Sequence, residues 1–134
     1  MIAHWLAVIS TGGSFTDRPT HFIDFLATFV DITGAEYPVE SRGQKIIPLQ
    51  GESFLPVLTA KESKRTKPLF WQWQLGKAVR RGDWKLVSHG NWELYNLKED
   101  RSETRNRIKD SPEIASELQI LYKKWAGDVG VSPR

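Results

Sequence analysis

The residues best suited to bind a ligand lie in one stretch, residues 71–81, with the sequence WQWQLGKAVRR. Trp71 and Trp73 alternate with glutamines, and Lys77 and two arginines follow them. Aromatic faces stack on sugar rings or nucleobases, and basic side chains hold phosphate or sulfate groups. The stretch therefore predicts either a ligand-binding surface or a strand whose tryptophans face a sheet core while its arginines are solvated.

Residues that could carry catalysis do not converge in the sequence. His4, His21 and His89 fall in three different predicted elements, without the H-x-x-x-H spacing of a local zinc site. Asp24 and Asp31 share a predicted helix face, but seven residues of helix rise about 10 Å, too far for a carboxylate dyad, so we expect solvated or capping roles. The chain has no cysteine, which excludes disulfides and a thiolate nucleophile. A serine triad assembled in space stays open.

Composition limits the class of protein. The chain has 134 residues, of which 40% are hydrophobic and 26% are charged. These values are typical of one globular domain and exclude wholesale disorder. No apolar run approaches the ~20 residues that cross a bilayer, and the opening MIAHWLAVIS lacks the basic start and the cleavage site of a signal peptide. The net charge of +3 favours acidic partners only slightly.

The first part of the chain predicts one strand and one helix. Residues 1–9 are apolar with little alternation, as in a fully buried strand. A helix is expected with Thr20 as its N-terminal cap and its end at about Thr33, with Gly34 just beyond. Its apolar stripe is broad, so the helix needs a large surface to pack on. The stripe comprises Phe22, Leu26, Phe29 and Val30, widened by Ile23 and Phe25.

The second part predicts a small α+β sandwich. Four short strands separated by turn residues should form an antiparallel meander, over residues 69–75, 78–80, 84–88 and 92–97. A C-terminal helix should begin after Ser111, with Pro112 at its first position, and end at Gly127. The apolar stripe of this helix is expected to pack on one face of the sheet. The stripe comprises Ile114, Leu118, Leu121, Tyr122 and Trp125.

An irregular connector links the two parts. Residues 35–67 are rich in proline and glycine, and they end in the charged run 61–67, which should be a solvated loop. This loop is the best candidate for a boundary, so we expect two regions, residues 1–60 and residues 61–134.

Five phrases, in order along nearly the whole chain, resemble the type I sulfatases, the arylsulfatase family. Residues 24–34, DFLATFVDITG, are similar to D-I-x-P-T-x-L-D-L-A-G, and residues 51–58, GESFLPVL, to G-x-S-L-x-P-x-L. Residues 69–73, LFWQW, and 78–87, AVRRGDWKLV, are similar to W-E-H followed by A-V-R-x-G-x-W-K-L-V. Residues 93–106, ELYNLKEDRSETRN, are similar to E-L-Y-D-L-x-x-D-P-x-E-x-x-N.

The resemblance implies a C-terminal piece of a sulfuric ester hydrolase. The antiparallel sheet and last helix would be the family's C-terminal subdomain, and the preceding strand and helix would come from the edge of the truncated α/β catalytic domain. The family's nucleophile is a formylglycine made from a C/S-x-P-x-R motif, which no serine of the sequence fits, including the one in the Ser-Pro at residues 132–134. The catalytic residues and the calcium ligands also lie upstream in the family. We therefore expect no catalytic residue and no metal ligand in this chain, formylglycine and calcium in the missing N-terminal catalytic domain, and no activity alone.

The resemblance also implies that loops of this subdomain wall the substrate cleft. The histidine of W-E-H is replaced by Trp73, and Gln72 replaces the glutamate, so the histidine's role does not carry over. We hypothesise instead that Trp73, Lys77 and His89 line the substrate end of the cleft. Aryl sulfates, sulfated glycans and other sulfate esters all stay open as substrates. The alternative function is an independent tryptophan-rich module that binds glycans or nucleic acid.

Two further expectations follow from a truncated domain. The strand at residues 1–9 and the apolar stripe of the first helix would lose their partners, leaving an exposed edge and an apolar patch. We expect self-association that covers them. The compartment stays open: members of the family are often exported, so the resemblance is compatible with a periplasmic or secreted enzyme, whose signal would lie on the missing N-terminus.

Overall fold

The computed structural model describes residues 3–6, 8–9, 13–61 and 63–131. The chain divides into two compact units, Met1–Arg65 and Thr66–Arg134. The first unit contains α1 (Asp24–Thr33), β1 (Glu40–Ser41), β2 (Gln44–Lys45) and α2 (Leu55–Leu58). The second contains β3 (Leu69–Trp73), β4 (Gly76–Arg81), β5 (Trp84–Ser88), β6 (Trp92–Asn96) and α3 (Pro112–Asp128). Within the described ranges, no helix combines the length and apolarity needed to cross a membrane.

The second unit is built on a four-stranded antiparallel meander in the order β3-β4-β5-β6, as predicted. Gly90 has a φ of 132° in the turn between β5 and β6, a conformation that L side chains rarely adopt. One row of cross-strand partners forms the inner face of this sheet. The row comprises Phe70, Val79, Leu86 and Leu94, of which the last three have no exposed surface.

Helix α3 covers this inner face. Leu118 and Tyr122 are buried against the sheet, and Ala115 fills the space beside them. The Phe70 ring stacks on Trp125, with ring centroids 5.0 Å apart and planes 4° apart. The α+β architecture and the packing stripe of the last helix are therefore confirmed, and the helix runs to Asp128, one residue past its predicted end.

The first helix is shorter than its apolar pattern predicted. Helix α1 begins at Asp24 rather than directly after Thr20, and it ends at Thr33, with Gly34 in the left-handed conformation at φ 64° as its cap. Asp24 is fully buried and accepts a hydrogen bond from the backbone N–H of His21 at 2.7 Å, which fixes the first turn there. In the predicted connector, β1 and β2 form a two-residue hairpin and α2 is one helical turn.

The strand predicted for residues 1–9 is wrong for the part of it that the structure describes. Residues 3–6 and 8–9 contain no strand. The amides of Val8 and Ile9 both donate to the carbonyl of Trp5, at 3.0 and 2.9 Å, so this segment turns back on itself. Leu6 is 87% exposed. A buried strand needs neighbouring strands, and the only strands in the described part of the first unit pair with each other.

One side of α1 is apolar and exposed, as expected. Phe22 is 83% exposed, Leu26 50% and Phe29 59%. Among the described rings of this unit, only Phe25 has an aromatic partner beyond its own helix segment. It packs edge-on against Phe54, with ring centroids 5.5 Å apart. We name the three exposed residues, Phe22 just before the helix and Leu26 and Phe29 on it, the α1 apolar face.

Candidate functional site

The two faces of β3 have different roles. Phe70 and Gln72 point toward α3, since Phe70 stacks on Trp125 and the Tyr122 hydroxyl donates to Gln72 Oε1. Trp71 and Trp73 therefore point to the opposite face, and Trp73 is 78% exposed. The alternative in which these tryptophans form the sheet core is wrong, because Phe70 supplies the core contact of this strand instead.

A depression of about 510 Å³ lies on this outer face, and it is lined by all three predicted site residues, Trp73, Lys77 and His89. Its floor follows a second row of cross-strand partners through all four strands. The two central members of that row are small or β-branched, and the two outer members are larger, so the middle of the face is hollow. The row comprises Trp71, Ala78, Val87 and Glu93.

Two turns form the rim of the depression. The β3–β4 turn and the β5–β6 turn lie at the same end of an antiparallel meander, because alternate strands run in opposite directions. Lys77 stands at the start of β4, and His89 and Asn91 belong to the second turn. That turn is held by Ser88, whose Oγ donates to the carbonyl of Gly90 at 3.2 Å. Residues far apart in sequence thus meet at one end of the sheet.

Glu93 places a carboxylate in the same depression, and it was not among the predicted site residues. The hydroxyl of Tyr95, a buried residue, donates to Glu93 Oε2 at 2.6 Å. This hydrogen bond, together with burial and nearby carboxylates, raises the pKa of Tyr95 to about 12. The sequence does carry a signal for Glu93. Side chains alternate between the two faces of β6, so Glu93 and Tyr95, two residues apart, lie on the same face. The depression therefore combines aromatic faces, basic groups and one oriented carboxylate.

In the first unit, residues of the family-like phrases hold the chain together. The guanidinium of Arg65 makes two hydrogen bonds to the Asp24 carboxylate, at 2.6 and 3.0 Å, and the Glu52 amide donates to it at 2.9 Å. Burial alone would raise the pKa of Asp24, but Arg65 and the backbone donors outweigh it and lower that pKa. Asp24 is thus neither solvated nor half of a catalytic dyad, and the exposed Asp31 accepts a hydrogen bond from Ser53 Oγ at 2.6 Å.

The charged run 61–67 is not uniformly solvated, because the side chain of Arg65 is only 6% exposed. The phrase 51–58 is also tied to α1 through Thr28, whose Oγ1 accepts the amide of Phe54 at 3.1 Å. At Gly51, a Cβ would lie 2.2 Å from the carbonyl oxygen of Ile23, so the backbones approach more closely than any side chain allows. These phrase residues therefore have structural roles.

Comparison with known proteins gives a consistent answer. No protein-family model matches the chain. An uncharacterized sulfatase of Schizosaccharomyces pombe is 25% identical over 125 residues, covering 87% of this chain and 23% of the relative. A sulfatase of Formosa agariphila is 26% identical over 148 aligned residues, covering 93% of this chain and 26% of the relative. The chain resembles the C-terminal region of sulfatases.

This sulfatase-like chain spans about a quarter of the length of the curated relatives it matches. A solved structure from Bacteroides thetaiotaomicron, BT33336S-sulf, described with the metabolism of multiple glycosaminoglycans, superposes with a TM-score of 0.61 at 22% identity. The match covers 75% of this chain and 24% of that one. At 22% sequence identity, this structural similarity shows a shared fold alone.

Proposed function

We propose that this chain is the C-terminal substrate-cleft subdomain of a sulfuric ester hydrolase, similar to the arylsulfatases. The observation that carries the proposal is the depression on the outer sheet face, where Trp73, Lys77 and His89 meet. An exposed tryptophan can stack on the organic part of a sulfate ester, and a lysine ammonium can pair with its anionic group. These residues would bind and orient the ester without reacting with it.

The reacting groups would come from an N-terminal catalytic domain. By resemblance, that domain supplies a formylglycine nucleophile and calcium, and the residues of this chain do not fit either group. There is no cysteine and no C/S-x-P-x-R motif. The described residues also contain no cluster of three or more histidine, aspartate or glutamate side chains able to hold a metal. We therefore propose that the chain does not cleave sulfate esters alone.

The α1 apolar face supports the same proposal. Exposed apolar side chains of this size are stabilised when another surface covers them. In the intact hydrolase, the catalytic domain would cover this face. In the isolated chain, we propose that a second copy covers it.

An NMR titration of the purified chain tests the binding proposal. Adding glucosamine 6-sulfate should shift the indole signals of Trp71 and Trp73, with a dissociation constant of about 1–10 mM because only part of the cleft is present. Trp73→Ala and Lys77→Ala should each weaken binding at least about tenfold. Leu75→Ala is the matched control, since Leu75 is exposed in the same hairpin and does not line the depression.

Three results would contradict the proposal. The first is the absence of shifts with the sulfated sugar. The second is equal binding by the wild type and by Trp73→Ala. The third is release of sulfate by the purified chain. Salt-dependent binding to an oligonucleotide through the same tryptophans would instead favour the independent nucleic-acid-binding module.

A further inference from the structure

We infer that Glu93, held by Tyr95, accepts hydrogen bonds from ligand hydroxyls, so that the depression selects sulfated saccharides over aryl sulfates. This inference rests on the proposed function and narrows its substrate class.

Glu93 lies on the floor of the depression. It occupies the β6 end of the row of partners that begins with Trp71 on β3, and both line the depression. Oxygen Oε2 accepts the Tyr95 hydroxyl, whereas Oε1 has no hydrogen-bond partner among the described residues. The carboxylate therefore presents one oriented acceptor to the depression.

The carboxylate of Glu93 limits which ligand groups can bind beside it. An ionised carboxylate only accepts hydrogen bonds, and it repels a sulfate ester. It can accept hydrogen bonds from neutral donors, and sugar hydroxyls are such donors. A sulfated saccharide also offers an apolar ring face to Trp73 and an anion to Lys77, so it matches all three kinds of lining group. A simple aryl sulfate offers the ring and the anion without a hydroxyl.

The hydroxyl of Tyr95 holds the Glu93 carboxylate in place. Tyr95 is only 7% exposed, so its hydroxyl is aimed at the carboxylate and is not available to a ligand. With a pKa of about 12, this hydroxyl keeps its proton and remains a donor throughout the neutral range. Tyr95 is therefore a positioning residue. Its hydrogen bond fixes Glu93 Oε2, and because the carboxylate is planar and rigid, Oε1 is held in place as well.

The ratio of two dissociation constants tests the inference. The probes are glucose 6-sulfate, which carries hydroxyls and no amine, and 4-nitrophenyl sulfate, which has no hydroxyl, and both are titrated into the full chain by NMR. Glu93→Ala should weaken saccharide binding about tenfold while aryl sulfate binding stays equal or tightens. Tyr95→Phe should shift the ratio in the same direction by about threefold. The dispersed amide spectrum of each variant shows that it is folded, so an unchanged ratio in a folded variant counts against the inference.

The controls separate two kinds of failure. Glu99→Ala removes an exposed carboxylate outside the depression and should leave both constants unchanged. If neither probe binds, or if Trp73→Ala affects neither, the proposed function itself fails. If both probes need Trp73 but Glu93→Ala leaves their ratio unchanged, the proposed function stands and the Glu93 inference is overturned.

Discussion

Asp24 is the residue whose removal should cost the first unit most. It is fully buried and is bound by Arg65 and by the amides of His21 and Glu52. Asp24→Asn leaves the buried guanidinium of Arg65 without its counter-charge, which typically costs about 3–5 kcal/mol. Urea unfolding followed through the amide signals of residues 24–33 measures this loss. Asp31→Asn, at an exposed position of the same helix, should cost less than about 1 kcal/mol, and equal effects of the two variants would refute the prediction.

The same carboxylate should make the first unit sensitive to acid. Its pKa is lowered in the folded chain, so ionised Asp24 contributes its full stability above the unfolded-state pKa of about 3.9. That contribution is lost as the pH falls from there through the lower folded-state pKa. Between pH 6 and acid, the stability difference between the wild type and Asp24→Asn should therefore shrink. A difference that is constant with pH would show that the side chain is not stabilised as an anion.

At the scale of elements, the second unit depends on the contact between α3 and the sheet. Leu118 is fully buried in that contact, and Leu118→Ala should destabilise the unit by about 2–5 kcal/mol, because it leaves a cavity. Ile120→Ala is the matched control, since Ile120 lies on the same helix and is 63% exposed. It should change stability by less than about 0.5 kcal/mol. Circular dichroism during urea unfolding measures both, and similar losses would mean that α3 packs differently.

The sequence predicted these elements well where one signal dominated. The meander and α3 follow from closely spaced turn residues and from a single apolar stripe, and both are confirmed. The faces of β3 could not be assigned from the strand alone, since Phe70 and Trp71 are both aromatic and point to opposite sides. The start of α1 was missed because Asp24 is buried in an ion pair with Arg65, 41 residues away. A contact at that distance along the chain leaves no local sequence signal.

At the scale of the molecule, much of the candidate site was predictable. Trp73, Lys77 and His89 lie near turns, and a meander brings alternate turns to the same end of the sheet, so they meet at one depression. Glu93 lies within a strand, and its place in the depression depends on the register of all four strands. That register becomes visible only once the sheet is formed. Local spacing thus located the rim of the depression and missed part of its floor.

The α1 apolar face should make the isolated chain self-associate. Leu26 and Phe29 are half exposed or more on one side of the helix, and pairing with a second copy would remove their apolar surface from water. Sedimentation should give a mass above the 15.4 kDa of one chain, and salt should not reverse the association because it is not electrostatic. Phe29→Glu should restore the monomer, whereas Ile120→Glu, a charge at an exposed apolar position on α3, should not. A wild-type chain that sediments as a monomer would overturn this prediction, and dissociation by Ile120→Glu alone would place the interface on α3.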